Sequence, residues 1–444
     1  MEIFLFTRSW EPYTFRMRDL EPIMAGPGPG ESPLGITHVC SEWRRVALSM
    51  PMLWSTIKAR HKAHQPSANQ WILAHDSRLQ AWLTRAGTHS LLDITFESNA
   101  DFPTSDQRVS ALSWILPYQH RIRTLSLKGY FEEFPGGSYS VLEMLRLSNA
   151  CLHNWPSPIS MPALRRVGIC GLFVHYPFIP WQQITHLYLH VYSADPLLSI
   201  ISQSTALVKL DISFDPTEIF YMAPNVDVED DERLRMEYLE TLILQGNEIT
   251  TLLFPYLVLP ALSDLQLHSC WNPSVYHALQ GRSFFQLRSF TFRGYDMSEA
   301  DFLNLLSSMP SLKDVRYSKL NETVIGGLTW NFGSGSCNLA PNLEYLGIFT
   351  DYALDEHIAV DDDVILNMVA SRDPSRTPRV LDTGPLFESR IIRSHLPKKS
   401  CDDAALQEFA LKEDAYADYS SNSDLDVDSV YCYMGRSERV HIFF

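Results

Sequence analysis

The sequence predicts an α/β chain in which a short helical N-terminal segment leads into a curved parallel sheet with outer helices. Three observations carry that prediction. An apolar triplet L-x-x-L-x-L, with Ile, Val, Phe or Tyr standing in for Leu, begins at Leu91, Ile122, Leu142, Leu164, Ile184, Leu207, Leu239, Leu262, Leu287, Leu312 and Leu343. Successive starts lie mostly about 20 to 25 residues apart, a period at which one strand and one return segment stack on the next. Four triplets carry a proline two residues ahead, at Pro162, Pro260, Pro310 and Pro341. Segments between triplets carry helix caps, as in Ser298 with Asp301 three residues on.

Composition narrows the function classes. A chain of 444 residues exceeds one ordinary core, but a repeat array leaves the domain count open. Apolar residues make up 45% and aromatics 12%, which indicates a folded protein. The net charge of −16 argues against nucleic acid bound through its phosphates, and against an anionic membrane surface as the main partner. No apolar run approaches the roughly 18–20 residues that span a bilayer. Met1 to Phe6 is apolar, but Glu2, the missing basic flank and Arg8 do not make a secretory signal. The seven cysteines contain no C-x-x-C pair and read as free thiols in a reducing compartment, the cytoplasm or nucleus.

The N-terminal segment runs from Ile36 to Ile57, after a stretch 1–35 that includes Gly-Pro-Gly-Pro-Gly at 26–30. Ile36, Val39, Cys40, Trp43, Val46 and Ala47 recur at helical spacing and predict one apolar stripe. Ser32 and Pro33 suit the N-cap and first turn, and Pro51 ends the helix. Then comes an apolar anchor, Pro51-Met52-Leu53-Trp54. The stripe fits packing on its own domain. It equally fits docking to a partner, since Trp and Arg (here Arg44 and Arg45) are enriched at interface centres.

The run Ile36, Val39, Cys40, Trp43, Arg44, Val46, Ala47, Leu48, Pro51, Leu53, Trp54, Ser55 and Ile57 resembles the C-terminal half of the F-box in mushroom-type fungal F-box proteins. The resemblance implies that Ile36, Val39, Cys40, Trp43, Arg44, Ala47, Pro51, Leu53 and Trp54 bind the Skp adaptor of an SCF-type cullin–RING ubiquitin ligase, and through it a cullin. The rest of the chain would then capture a protein substrate. The family's F-box opens with Leu-Pro and a first helix, of which Met1-Glu2-Ile3-Phe4 keeps at best the tail. The alternative is a non-catalytic interaction scaffold whose truncated F-box no longer binds the adaptor.

Along the rest of the chain, residues 66–87 predict a linking helix. It carries Trp71, Ile72, His75, Leu79, Trp82 and Leu83 on one side and Gly87 as its stop. Leu79 to Ala86 resembles the segment after the F-box in the same family. Residues 88–350 predict an irregular solenoid of the leucine-rich-repeat kind, with helices over Asp195–Ser204 and Ser298–Met309. Asn225 to Arg235 reads as a solvated charged loop. Residues 351–400 read as a capping region with a helix over Asp361–Ala370, and 401–444 as an acidic, mostly disordered tail.

No catalytic motif, cofactor fingerprint or metal-ligand spacing stands out, so the expectation is a non-enzyme with no cofactor and no metal. Binding should fall on the strand positions that alternate away from the apolar triplets. Those positions place Arg146, Arg166, His186, Tyr188, His190, Lys209, Arg293 and Arg316 on one face as candidate substrate contacts. Such a basic and aromatic face suits an acidic or phosphorylated partner segment, and ordinary polar filler fits it as well.

Overall fold

The computed structural model describes residues 37–61, 79–98, 112–129, 131–148, 152–154, 159–171, 176–191, 195–214, 233–246, 248–268, 270–294, 296–317, 321–330, 339–350, 364, 367–368, 371–372 and 438–443. It is an α/β structure, divided into two compact units, Met1–Phe285 and Gln286–Phe444.

In the first unit nine strands lie side by side in chain order, each parallel to the next. They are β1 (Thr56–His61), β2 (Leu92–Ser98), β3 (Ile122–Lys128), β4 (Met144–Ser148), β5 (Arg166–Cys170), β6 (His186–Val191), β7 (Lys209–Phe214), β8 (Thr241–Gln245) and β9 (Asp264–His268). Parallel neighbours need crossover connections. Helices α1 (Ser41–Leu48), α2 (79–85), α3 (Asp195–Gln203) and α4 (Ile249–Leu253) lie before or between the strands, and α5 (Pro273–Ser283) follows the last of them.

The apolar triplets form one face of this sheet. Leu125, Leu145, Val167, Leu187, Leu210, Leu242 and Leu265 are register partners in one row, and all are buried. The prolines ahead of the triplets have a geometric cause. In Met161-Pro162-Ala163-Leu164 the Leu N–H donates to the Met carbonyl at 3.2 Å, and Leu262 and Leu312 repeat the bond to Leu259 and Met309. Proline therefore occupies the second position of a β-turn, where its fixed φ is already correct. Apolar residues at the two ends of each turn are buried, so the turn delivers the chain onto the core.

The second unit continues the same grammar with β10 (Ser289–Arg293), β11 (Asp314–Tyr317) and β12 (Tyr345–Thr350), parallel in order. Helices α6 (Glu299–Ser308) and α7 (Glu322–Leu328) lie between them. Ser298 caps α6 by accepting from Asp301 N–H at 3.1 Å, as its sequence position predicts. Phe302 of α6 stacks on Tyr317 of β11 with ring centroids 4.1 Å apart, which fixes the helix against its strand. Asn321 caps α7 by accepting from Val324 N–H at 2.9 Å. Arg372, nearly buried, donates to the carbonyls of Leu328, Leu339 and Ala340 and lies over the Trp330 ring.

Four sequence expectations change. The helix does not run unbroken from the residues ahead of Cys40: Cys40 is extended (φ −158°, ψ 171°) and its Sγ accepts from Trp43 N–H, so it caps a helix that begins at Ser41. Ile36, Ser32 and Pro33 lie outside the described residues. The expected helical module over 36–57 does not stay helical to its end, because Thr56–His61 is β1, the first strand of the sheet. Leu234–Arg235, inside the expected charged loop, pairs with Leu257–Val258. Within the expected tail, Glu438–Phe443 forms β13, antiparallel to β12. Its sequence, ERVHIF, has the β-branched and aromatic content of a strand.

Candidate partner-binding surfaces

Two surfaces carry the residues that the sequence singles out for binding. The first is the N-terminal corner. Pro51–Trp54 forms one 3₁₀ turn that pushes Leu53 and Trp54 inward. The Trp54 indole N–H donates to the Ala47 carbonyl at 2.8 Å, tying the turn to α1. Trp82 of α2 packs edge-on to Trp54 at 4.8 Å, and the Arg85 guanidinium sits 4.7 Å above its ring. Gly87 ends this stretch at φ 69°, where a side chain would be strained.

With Ala47, Leu53 and Trp54 turned inward, other residues make the outer surface. Val39 is 60% exposed, Met52 51%, Leu48 41% and Trp43 37%. Cys40, Arg44 and Pro51 are exposed beside them. Of the expected adaptor contacts, then, Ala47, Leu53 and Trp54 act as supports, while Val39, Cys40, Trp43, Arg44 and Pro51 face outward. Met52 and Leu48 belong to this surface as well, although spacing alone did not single them out as contacts.

The second surface is the polar face of the first unit's sheet. Register aligns its residues in rows. One row includes Met144, Arg166, His186, Lys209, Thr241 and Asp264 across β4–β9. The next includes Arg146, Gly168, Tyr188, Asp211, Ile243 and Gln266, and a third includes Ser148, Cys170, His190, Ser213, Gln245 and His268. The expected contacts Arg146, Arg166, His186, Tyr188, His190 and Lys209 therefore do share one face. Arg293 and Arg316 belong to the second unit.

Burial differs along these rows. Arg166 is exposed and His186, His190 and Lys209 are half-buried, whereas Tyr188 is only 1% exposed. Tyr188 is thus part of the packed interior of this face, not a surface contact. Asp211, beside it in register, is 5% exposed, and its Oδ1 makes no hydrogen bond. Burial raises the Asp211 carboxyl to about 7, against the opposing pull of Lys209. Burial also lowers the His186 imidazole, and the charges of Arg166 and Lys209 lower it further. Asp211 escaped notice as a site residue because an Asp in KLDISF reads as an ordinary outward position.

Elsewhere on the sheet the charges are paired. Arg123 grips Asp93 with two bonds, Nε to Oδ1 at 3.1 Å and Nη2 to Oδ2 at 2.7 Å. A bulge at the start of the β2–β3 ladder brings Arg123 there. Lys128 meets Glu97 at 2.9 Å. In the second unit Arg316 holds Asp314 at 2.9 Å and lies 5.1 Å from the Tyr345 ring centre, so its guanidinium is already engaged.

Among the described residues, no helix is long and apolar enough to cross a membrane. Comparison with protein-family models and with curated proteins finds no match for this chain.

Proposed function

We propose that the chain is the substrate-recognition subunit of an SCF-type cullin–RING ubiquitin ligase. Its N-terminal corner docks a Skp-type adaptor, and its sheet, a solenoid of the leucine-rich-repeat kind, captures a protein substrate. The observation that carries the reading is the corner itself. Trp54 is locked inside while Val39, Trp43, Leu48 and Met52 are each exposed, as is Arg44. Exposed apolar side chains grouped with Trp and Arg mark protein interfaces. The resemblance of this same stretch to an F-box names the partner.

The chain performs no bond chemistry in this role. It raises the effective concentration of substrate near the ligase's charged ubiquitin carrier, which makes transfer effectively intramolecular. The expected compartment is the cytoplasm or nucleus. Co-purification of the full chain with a Skp-type adaptor tests the reading. Trp43→Ala should abolish capture while leaving the fold intact, because Trp43 is not part of the core. A parent chain that is folded and captures no adaptor refutes it, leaving an interaction protein outside the ligase.

A further inference from the structure

Arg166, His186 and Lys209 stand directly opposite one another on three adjacent parallel strands, β5, β6 and β7. Strands in a sheet are about 4.8 Å apart, and like charges placed opposite each other destabilise it. Among the described residues neither Arg166 nor Lys209 makes an ion pair, in contrast to Arg123, Lys128 and Arg316. Two acidic groups lie near by register: Asp264, in the same row two strands beyond Lys209, and Asp211, two residues beyond Lys209 on the same face of β7 and almost fully buried.

We propose that Arg166, His186 and Lys209 form a binding site for an oxyanion, and that the buried carboxyl of Asp211 gates it by taking up a proton. The inference deepens the reading of this face as a capture surface and does not depend on adaptor docking. A bound oxyanion relieves the repulsion between Arg166 and Lys209 and accepts hydrogen bonds from both cations and from the His186 ring. An ionised Asp211 offsets the charge of Lys209, and a neutral one leaves the charges of Arg166 and Lys209 without that offset.

The groups facing Asp211 from its neighbours set the direction of the pH effect. From β6 come His186, Tyr188 and His190; from its own strand Lys209; from β8 Thr241, Ile243 and Gln245; and, one strand further on each side, Arg166 from β5 and Asp264, Gln266 and His268 from β9. Asp211 and Asp264 are the carboxylates of that set, and protonation of a carboxylate or an imidazole alike adds positive charge, so acidification acts in one direction at every titrating position. Asp211 is the group that changes charge near neutrality, since burial brings its carboxyl to about 7. The His186 imidazole gains its proton only at lower pH. Both changes tighten anion binding as pH falls.

Sulfate is the probe, because its charge is constant over the working range and any pH dependence then belongs to the protein. Calorimetric titration of the full chain should show sulfate binding roughly ten-fold tighter at pH 6 than at pH 8.5. Asp211→Asn, permanently neutral, should bind at pH 8.5 about as tightly as the parent does at pH 6. The double variant Arg166→Met, Lys209→Met should lose sulfate binding with an unchanged melting profile. Displacement of sulfate by phosphoserine identifies a phosphate ester as the natural group, and displacement by glutamate alone identifies a carboxylate. The proposal is overturned by a pH-independent parent, by Asp211→Asn keeping the parent's pH dependence, by a double variant that still binds, or by displacement with neither competitor. Failure of adaptor capture leaves each of these readouts untouched.

Discussion

Two stretches of one polar face treat their charges in opposite ways. Over β2 and β3 the cations are neutralised in place, Arg123 by Asp93 and Lys128 by Glu97. Over β5 to β7 the basic residues Arg166, His186 and Lys209 stand in line, and the nearby carboxyl of Asp211 is buried with one oxygen unpaired. Both stretches sit on the same kind of strand over the same kind of apolar row. A backbone bulge brings Arg123 to Asp93, but Lys128 and Glu97 pair in regular register, so the choice of side chains as well as the backbone makes the difference. Where charges are paired the face is finished as structure, and where they are not it retains capacity for a ligand.

The largest test of that contrast is Arg123→Ala. It leaves the Asp93 carboxylate almost fully buried without its bidentate partner, and should cost about 3 kcal/mol in urea unfolding. A cost near zero would mean that the paired stretch is as loose as the unpaired one. Asp211→Asn acts in the opposite sense and depends on pH. Burial raises its carboxyl to about 7 in the folded chain against an ordinary 3.8, so the folded state holds a proton that the unfolded state releases between those values. The stability this proton confers is complete below pH 4 and is lost as pH rises through 7. The Asn variant should therefore melt a few degrees higher than the parent at pH 8, with the gap closing near pH 4. An equal gap at both pH values would contradict the burial of an ionisable group there.

Smaller effects sharpen the comparison. Lys128→Met should cost about 1 kcal/mol, since Glu97 beside it is only partly wetted. Arg166→Met should change stability by less than about 0.5 kcal/mol, because it breaks no ion pair and relieves some repulsion. If the Arg166 and Lys128 variants lose stability equally, the distinction between finished and open stretches fails.

Much of the fold was legible in sequence because its signals are local and repeated. The triplets set the strand rows, and Pro162, Pro260 and Pro310 marked the turns that start them. Alternation within each strand then placed Arg146, Arg166, His186, His190 and Lys209 on one face in the right register. What escaped the sequence depends on contacts between distant residues. The stripe over Ile36–Ala47 has helical spacing, yet Cys40 turns extended to cap α1, a choice that periodicity does not encode. Trp54 reads as an apolar anchor, and by resemblance as an adaptor contact, until Trp82 and Arg85 are seen packed around it. Tyr188 and Asp211 occupy outward positions of ordinary strands, and their burial is a property of the assembled face.

A second pair of residues brings the account to its central claim. Trp54 and Trp43 stand eleven residues apart, one wholly buried and the other outward. Removing the Trp54 side chain should cost about 4 kcal/mol by opening a cavity, which makes it unsuitable as a probe of binding. Trp43 is the clean probe. The most direct measurement is the affinity of the purified full chain for a Skp-type adaptor, parent against Trp43→Ala, with the melting temperature of each recorded alongside. The account predicts adaptor binding by the parent, lost in the variant, with melting temperatures within a few degrees. A well-folded parent that does not bind, or a Trp43→Ala variant that binds as tightly as the parent, would contradict it.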